Sequence, residues 1–389
     1  MVESVLVPLT NVPRDYAWGS RSLLAALEGR ETTEGPEAEV WFGDHPSDPS
    51  DVGDGSGRTL DVWLAEEGVR VSGSGRLPYL LKRLAAGSPL SIQVHPTREQ
   101  ARAGYARETA LGGAGPRNYV DDNHKPEIIV ALSERFEALS GLRELAASRR
   151  LLDAVGPAAA PLRERLTDAD GLRSALGWLL GGEGAGTVRA IVEALEDARS
   201  TEFAAELANA RRIAALHPGD AGVVVALLMN YVTLRRGEGI FLGAGKLHAY
   251  VEGLGVELMA ASDNVLRGGL TPKHIDVEEL LAVVDPTPGP VPVVLPVAVD
   301  HGSRGIEAFP VPVDDFRLLR SRVGEGDETV LRPTGPVIVV ATAGTVTVSA
   351  GEDSIELTPG KGVFASPGTA ELRFTGTGEV FAAEPGRAA

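Results

Sequence analysis

Residues 243–276, "GAGKLHAYVEGLGVELMAASDNVLRGGLTPKHID", combine short strand-like runs with Gly-rich turns. Because alternate residues of a strand share a face, His248 and Tyr250 are predicted to lie side by side. The same stretch carries an unusual density of ionisable groups for a chain rich in Ala, Leu and Val. They include His248, Glu257, Asp263, Arg267 and Lys273. The stretch therefore predicts a β fold in which other segments of the chain supply partners for these groups.

The composition narrows the classes of function. The 389-residue chain has a formal net charge of −17 and no cysteine. Without cysteine there are no disulfides, thiolate nucleophiles or thiolate metal sites, and we expect a reducing, cytoplasmic location. The negative charge argues against nucleic acid as a partner, because binding to phosphate backbones needs many Lys and Arg contacts. No secretory signal is recognisable, and apolar runs such as residues 221–232 are shorter than the roughly 20 residues that span a bilayer.

The spacing of apolar residues divides the chain into four parts. Residues 1–141 contain brief apolar or alternating runs between Gly, Pro, Asp and Ser, which is typical of short strands. Residues 142–216 place apolar residues at helical spacing, which predicts a helical insert. Residues 217–290 begin with a run, 219–234, that is ambiguous between helix and strand. Strand patterns then return, and a short helix capped by Asp276 lies near the end of this part. Residues 291–389 begin with a Pro-rich linker and continue as closely spaced alternating strands, typical of a small antiparallel barrel or jelly roll.

Four side chains in three strand-like segments could together bind a metal. Two of them alternate along "SIQVHP" and would share a strand face with the serine. The third follows a lysine in "NHKPE", and the fourth lies in "KLHAY". Two imidazoles, a carboxylate and an amide oxygen suit zinc and leave room for water or substrate oxygens. The four candidates are Gln93, His95, Glu127 and His248.

Each segment also has a simpler interpretation. His95 alone fits a hydrogen-bonded core histidine, and Gln93 alone fits an exposed strand residue. Lys125 beside Glu127 fits an ordinary ion pair. Spacing does not establish that residues scattered from Gln93 to His248 meet in the fold.

These segments resemble, in sequence and in order, those of one known family. They are "YAWGS" (16–20), "AEVWFGDHP" (38–46), "LSIQVHP" (90–96), "NHKPE" (123–127) and "GLGVELMAASDNVLRGGLTPKHIDV" (253–277). The chain is similar through them to the type I mannose-6-phosphate isomerases, or phosphomannose isomerases, of the cupin superfamily. The longest segment is highly specific, whereas "QVHP" or "HKPE" alone would be weak. The resemblance covers the whole catalytic part.

The resemblance implies a mainly β chain with an α-helical insert, built from two cupin-type jelly rolls and a helical domain. Residues 1–141 and 217–290 would form the catalytic cupin domain, around a helical insert at 142–216. Residues 291–389 would form a C-terminal cupin-like domain, without a metal site because residues 302–389 contain no histidine or cysteine. The implied reaction interconverts mannose 6-phosphate and fructose 6-phosphate through an enediol, with one zinc ion per chain.

The resemblance also implies roles for individual residues, and it places the family's zinc ligands on the four candidates. The catalytic arginine falls on Arg267, which suits charge stabilisation or phosphate binding, because a guanidinium stays protonated at ordinary pH. Either Lys125 or Glu257 could move the proton, and the sequence does not decide between them. Lys273, paired with Asp263, could serve ring opening or phosphate binding. The residues expected to contact substrate or form the pocket wall are Trp18, Glu39, Trp41, Ser91 and Tyr250.

Simpler alternatives stay open for several of these roles. Arg267 could be a turn residue, and Lys273 and Asp263 could form a surface ion pair. The residues expected in the pocket wall could simply pack in the core. The alternative function is a non-catalytic sugar-phosphate-binding cupin, although such a protein would be expected to have lost a ligand, Arg267 or Lys273. A cupin oxygenase fits the lysine- and arginine-rich surroundings less well than a phosphate ester does. A monomer or weak homo-oligomer is expected. No ligand role is assigned to His45, His217, His274 or His301.

Overall fold

The computed structural model describes residues 5–73, 75–112, 116–299 and 302–386. His301 lies outside the described residues. Within them the chain forms two ten-stranded antiparallel sheets and a layer of helices. The prediction of a mainly β chain with helices between its strands is therefore confirmed. No helix in the described ranges is both long enough and apolar enough to cross a bilayer.

The first sheet, called sheet I here, contains the strands that surround the sequence segments discussed above. Its main path runs β11-β5-β10-β6-β9-β12, and β2, β4, β7 and β8 pair outside this path. The strands of sheet I are β2 (Glu39–Phe42), β4 (Tyr79–Ala86), β5 (Gln93–Val94), β6 (Glu127–Ala131), β7 (Phe136–Leu142), β8 (Met229–Leu234), β9 (Gly239–Leu242), β10 (His248–Ala260), β11 (Leu266–Arg267) and β12 (Val293–Val294).

The second sheet, sheet II, combines the amino-terminal strand with the carboxyl-terminal part of the chain. Its long central pair is β17 with β20. Its strands are β1 (Leu6–Thr10), β3 (Asp51–Val52), β13 (Val297–Ala298), β14 (Ile306–Phe309), β15 (Arg317–Val323), β16 (Thr329–Leu331), β17 (Val337–Ala350), β18 (Asp353–Leu357), β19 (Gly362–Ala365) and β20 (Leu372–Glu384).

The period-two pattern of the strands explains how sheet I forms two different cores. In β6, Ile128 and Val130 face sheet II and join its buried aromatic residues, such as Phe381. Their neighbours Ile129 and Ala131 face the other way and form a separate core. A strand that is buried on both faces reads as a continuous apolar run rather than as an alternation. One face of sheet I therefore packs against sheet II, and the opposite face carries a core of its own.

The helices are α1 (Leu23–Leu27), α2 (Leu60–Glu66), α3 (Arg98–Ala110), α4 (Leu145–Val155), α5 (Ala160–Arg163), α6 (Ala169–Leu180), α7 (Ala185–Leu195), α8 (Ala204–Leu216), α9 (Gly222–Leu228) and α10 (Val277–Val283), with a 3-10 turn at Pro157–Ala159. The predicted cap of α10 is confirmed, since an Asp276 carboxylate oxygen accepts a hydrogen bond from the Glu279 amide at 3.0 Å.

Helical structure continues past residue 216 into α9, which passes directly into β8. Every residue of α9 is buried, so its sequence is apolar all round and carries no helical period. Helices α4–α9 share one core with Leu266 of β11 and with Ile92 and Leu247, which immediately precede β5 and β10. The helices therefore pack on the strands that carry the candidate site.

Candidate active site

Three of the four candidate ligands form one buried group. The ligand atoms of His95, Glu127 and His248 all lie within 4.8 Å of one another. One Glu127 oxygen lies 3.4 Å from His95 Nε2, and the other lies 3.5 Å from His248 Nε2. Two imidazoles bridged by one carboxylate form a nitrogen and oxygen set of the kind that binds zinc.

The pairing of the strands brings these residues together. Glu127 begins β6 and lies opposite Leu242, the last residue of β9, from which residues 243–247 lead to His248 at the start of β10. Gln93 in β5 lies directly opposite His248 on one side and Arg267 on the other. His95 follows β5, which has only two residues, so a shared strand face does not orient it as the sequence suggested. Its position instead depends on contacts beyond the strand.

Backbone carbonyls define the tautomers of both histidines. His95 Nδ1 lies 2.7 Å from the carbonyl of Asn264, and His248 Nδ1 lies 2.9 Å from that of Lys246. Because a carbonyl can only accept, each Nδ1 carries the proton and each Nε2 presents a lone pair. This is the arrangement in which an imidazole binds a metal.

His95 supplies the test of whether a metal fits here. Among the described residues its buried Nε2 has no hydrogen-bond partner, because its lone pair and the Glu127 oxygen 3.4 Å away are both acceptors. Burial lowers the pKa of His95 to about 4, so the ring is neutral near pH 7. An orphaned buried acceptor costs free energy unless it finds a partner. The residues present therefore fit a bound cation.

Gln93 lies beside this group, and its amide nitrogen is already engaged. The Gln93 Nε2 atom donates to Ser91 Oγ at 3.2 Å. Within the described ranges, no hydrogen bond engages its side-chain oxygen, which suits a fourth ligand. Both residues line the same cavity as Glu127 and His248. Their assignment as ligand and substrate contact stays a prediction.

One cavity gathers most of the residues singled out from the sequence. It opens on the face of sheet I that is turned away from sheet II, above the core that contains Leu84 and Tyr250. The cavity lining consists of Glu39, Lys82, Leu84, Leu90, Ser91, Gln93, Lys125, Glu127, His248, Ala249, Tyr250 and Glu257. Lys125 Nζ contacts a Glu127 oxygen at 2.8 Å. Burial by itself would raise the pKa of Glu127. The charge of Lys125 contributes to outweighing burial, and the pKa of Glu127 lies well below its usual range.

Lys82 is the residue that the sequence reasoning missed. It is buried between two carboxylates, 3.2 Å from Glu257 and 3.8 Å from Glu39, and lies 4.9 Å from the ring centre of Trp41. Burial opposes its charge, but the two carboxylates outweigh burial and raise its pKa. The available signal was the lysine inside the apolar strand "PYLLKRLAA", since a lysine is almost never fully buried without a partner.

Glu257 is a buried carboxylate in the cavity lining. Burial, reinforced by the charges of Glu127 and Glu39 and opposed by Lys82, raises its pKa. Tyr250 donates its hydroxyl to Glu257 at 2.8 Å. Burial and these carboxylates also raise the pKa of Tyr250 well above its usual range, so the phenol stays a donor.

Arg267 is a half-buried cation near the ligand group. Among the described residues it has no ion pair and no side-chain hydrogen bond, and burial lowers its pKa. Lys273 is exposed and does not pair with Asp263, contrary to the pairing suggested from the sequence. Asp263 instead lies 3.7 Å from His45 Nε2 and accepts a hydrogen bond from Ser47 at 3.3 Å. Strand β11 lies between Asp263 and Lys273 in the chain.

Of two residues predicted to form the pocket wall, one lines the cavity and the other does not. Glu39 lines the cavity and accepts a hydrogen bond from Trp41 Nε1 at 2.7 Å. Trp18 does not line the cavity; it packs against the core beneath it, and its ring centre lies 5.7 Å from that of Tyr16.

Comparison with known proteins identifies the family. The family "Phosphomannose isomerase type I, catalytic domain" matches residues 6–145. Mannose-6-phosphate isomerase of Escherichia coli K12 is 35% identical over 96% of this chain and 97% of its own length. The chain belongs to the type I mannose-6-phosphate isomerase family. The family resemblance predicted from the sequence is thus confirmed, and it extends to eukaryotes, since the enzyme of Rattus norvegicus is 32% identical over 89% of both chains.

Solved structures of this family have the same fold. A single-residue variant of phosphomannose isomerase from Salmonella typhimurium is 32% identical, with a TM-score of 0.88 over 98% of this chain and 100% of that one. A mannose 6-phosphate isomerase bound with zinc and yttrium is 33% identical, with a TM-score of 0.87 over the same shares.

Proposed function

We propose that this chain is a zinc-dependent isomerase that interconverts mannose 6-phosphate and fructose 6-phosphate, with one zinc ion per chain. The observation that carries the proposal is the buried group of His95, Glu127 and His248, with an orphaned imidazole nitrogen, inside a chain of this family. The family relationship and the zinc of the solved relative confirm the enzyme class and cofactor expected from the sequence. We assign Gln93 as the fourth ligand.

When bound, zinc acts as a Lewis acid that polarises the carbonyl of the open-chain sugar. The chain itself must then move a proton between C1 and C2 and stabilise the charge of the enediolate. We assign the proton transfer to Glu257, because its raised pKa brings a carboxylate closer to neutral pH. Lys125 is less suited to this role, because its ammonium group is engaged by a Glu127 oxygen at 2.8 Å.

Cations around the cavity would serve the charged parts of the substrate. Lys125 and Lys82 lie within the cavity lining and would stabilise negative charge close to the reacting carbons. Arg267 would meet the enediolate or the phosphate, because it is half-buried and has no carboxylate partner among the described residues. Lys273 and Asp263 would lie further out, with roles in phosphate binding or ring opening.

The remaining assignments concern orientation of the sugar. Ser91 and Tyr250 line the cavity and would donate or accept hydrogen bonds with sugar hydroxyls, as would Glu39. Trp18 would support this wall from behind, through the core on which Tyr250 rests.

We further propose the finer division of the fold into two cupin-type jelly rolls and a helical insert. The antiparallel sheets I and II, with separate cores on their outer faces, support two β units. The catalytic unit would combine residues 1–141 and 217–290 around the insert at 142–216. The unit at 291–389 would have no metal site. The enzyme would act in the cytoplasm as a monomer or weak homo-oligomer, without nucleic acid or a membrane as partner.

The deciding experiment is a coupled assay of fructose 6-phosphate formation from mannose 6-phosphate by the purified chain. The assay is repeated after chelation and again after zinc is returned. Loss and recovery of turnover would support the proposal. Binding of the sugar phosphate without turnover in the zinc-loaded protein would instead favour the non-catalytic binding protein, and full turnover in protein shown to be metal-free would refute the role of zinc.

A further inference from the structure

Asn264 is a fully buried asparagine that does not line the cavity. It lies between Asp263 and the short strand β11, which ends in Arg267. Its backbone carbonyl accepts the hydrogen bond from His95 Nδ1 at 2.7 Å. Since β5 ends before His95, this carbonyl is the contact that defines the tautomer of that ring.

The side chain of Asn264 reaches a different segment of the chain. Its oxygen accepts from the backbone amides of Val120 at 2.8 Å and Asp121 at 3.3 Å. Its amide nitrogen donates to the carbonyls of Asp121 and Asn123, both at 2.8 Å, and to an Asp121 carboxylate oxygen at 3.1 Å. Donors face the oxygen and acceptors face the nitrogen, so only one orientation of the amide fits.

The side chain of Asp121 in turn forms hydrogen bonds with residues next to Asn264. Its carboxylate accepts from Ser262 Oγ at 2.8 Å and from the backbone amide of Asp263 at 2.8 Å. Ser262 Oγ in turn accepts from the backbone amide of Asn264 at 3.2 Å. We call Asp121, Ser262 and Asn264 the Asn264 cluster. This cluster joins the segment that precedes Lys125 and Glu127 to residues 262–264, which contact His95 through the Asn264 carbonyl.

We propose that Asn264 is a positioning residue that sets His95 in register with Lys125 and Glu127. Its carbonyl orients His95, and its side chain holds residues 120–123, which lead directly into Lys125 and Glu127. One residue thereby couples two candidate ligands and a cavity lysine that lie on separate segments. The inference rests on the proposed function, because it concerns the same metal centre and reaction.

The chemistry of the contacts explains why an amide is needed at this position. Aspartate would retain the acceptor for Val120 and Asp121 but would place a second oxygen against two carbonyls and the Asp121 carboxylate. Buried oxygens in such contact repel one another, because no donor lies between them. Groups that orient metal ligands commonly affect metal affinity or activity by about 10–100-fold when changed.

The test uses the full-length chain with the substitutions Asn264→Asp, Asp121→Asn and their combination. Zinc affinity is measured by competition with a chromophoric chelator, and kcat and KM for mannose 6-phosphate are measured at saturating zinc. Asn264→Asp should weaken zinc binding by about 10–100-fold and lower kcat more than it changes KM. The double variant should recover part of the loss, because its side-chain amide at position 121 can donate to the carboxylate at position 264.

A matched control separates positioning from general loss of stability. Asn209→Asp makes the same change at another buried asparagine, on α8, whose side-chain oxygen accepts from Arg212 at 3.0 Å. It should leave zinc affinity and kcat unchanged even if it lowers the melting temperature. Ser262→Ala removes the hydroxyl that contacts Asp121, the Asn123 carbonyl and the Asn264 backbone amide, and it adds no charge. It provides a milder variant if Asn264→Asp does not fold. Its zinc affinity should fall by about 2–10-fold.

The outcomes distinguish this inference from the proposed function. A parent chain without zinc binding or turnover would reject the proposed function. A normal parent, with zinc affinity and kcat in Asn264→Asp and Ser262→Ala no different from those in Asn209→Asp, would overturn the positioning role alone. Losses that simply multiply in the double variant would also overturn the proposed coupling between Asn264 and Asp121.

Discussion

Gln93 and Arg267 are direct partners in the antiparallel pairing of β5 with β11, and His248 pairs with Gln93 from the opposite side. Side chains of directly paired residues share one face of a sheet, with Cβ atoms about 4.5–5.5 Å apart. A guanidinium without an ionic partner among the described residues is therefore one strand away from a candidate zinc ligand and two strands away from another. This arrangement suits a cation that acts on the same substrate as the metal.

Arg267→Ala should lower kcat by about 10²–10³-fold if the guanidinium stabilises charge that exists mainly in the enediolate transition state. In that case KM should change little, because only differential stabilisation accelerates the chemical step. If Arg267 instead binds the phosphate equally in the ground state and the transition state, KM should rise while kcat stays unchanged. Steady-state kinetics distinguish the two.

Arg267→Lys and zinc analysis provide the controls for this variant. Lysine should restore little of the lost function, since a point charge does not reproduce a planar pair of donors. Zinc content should stay normal in both variants, because neither removes a ligand. Normal kcat and KM in both variants would show that Arg267 is only a turn residue.

Removal of zinc should abolish turnover and also weaken the fold. The ligand group is buried, and without a cation His95 Nε2 has no hydrogen-bond partner in the part of the chain that the structure describes. A ligand that binds only the folded chain stabilises it by mass action, so chelation should lower the melting temperature in a zinc-dependent manner. His95→Ala should lower zinc occupancy and turnover together. Full zinc occupancy in His95→Ala would contradict its assignment as a ligand.

Lys82→Met should shift the pH dependence of kcat/KM. Removing the cation 3.2 Å from Glu257 removes an interaction that lowers the pKa of that carboxyl group. If deprotonated Glu257 is the base, the acidic limb of the profile should move to higher pH. Lys82→Arg keeps the charge and should leave the limb near its original position. An unchanged limb in Lys82→Met would argue against Glu257 as the titrating base.

Asp44→Asn should stabilise the protein near neutral pH. Burial raises the pKa of Asp44 from 3.8 to about 6, so the folded chain binds more protons than the unfolded chain between these values. The free energy of unfolding therefore falls as pH rises through this window. The variant lacks this loss. Its free energy of unfolding should exceed that of the parent by up to about 3 kcal/mol at pH 7 and by little near pH 4.

Urea unfolding at the two pH values measures the difference for Asp44→Asn. Asp54→Asn is the contrasting control, because hydrogen bonds from Ser56 and Arg58 lower the pKa of Asp54 to about 2. It should show no gain at pH 7. A gain for Asp44→Asn that is equal at both pH values would rule out ionisation as its cause.

Gly222→Ala should disturb the loop that follows Arg267. A Cβ at Gly222 would lie 2.6 Å from the backbone nitrogen of Leu270, a buried residue with φ of 57°. Because these are backbone contacts, overpacking should destabilise the fold by about 1–3 kcal/mol and alter kcat or KM. Gly186→Ala in α7 is the matched control, since its Cβ would meet nothing within 4 Å. It should be neutral or stabilising, by thermal unfolding and kinetics alike.

Short-range patterns of the sequence were sufficient for part of this structure. The cap at Asp276 depends on residues within one turn of α10, and the apolar run of β6 reflects burial on both faces of a strand. The candidate ligands could be named because few residue types bind zinc, and because the segments that contain them resemble a known family. The end of the helical region was less certain, since the uniformly apolar α9 has no period that separates helix from strand.

The sequence by itself determined which chemical groups are available: two imidazoles, several carboxylates and three cations in recognisable segments. Only the tertiary structure decided which of them meet. Lys82 lies between Glu39 and Glu257 because β2, β4 and β10 pair in one register. Asp263 lies beside His45, which is distant in the chain, and not beside Lys273, which is near it in the chain. Such contacts arise between residues far apart in the chain. Hydrogen-bonded register and burial select them, and neither is encoded in the spacing of any single segment.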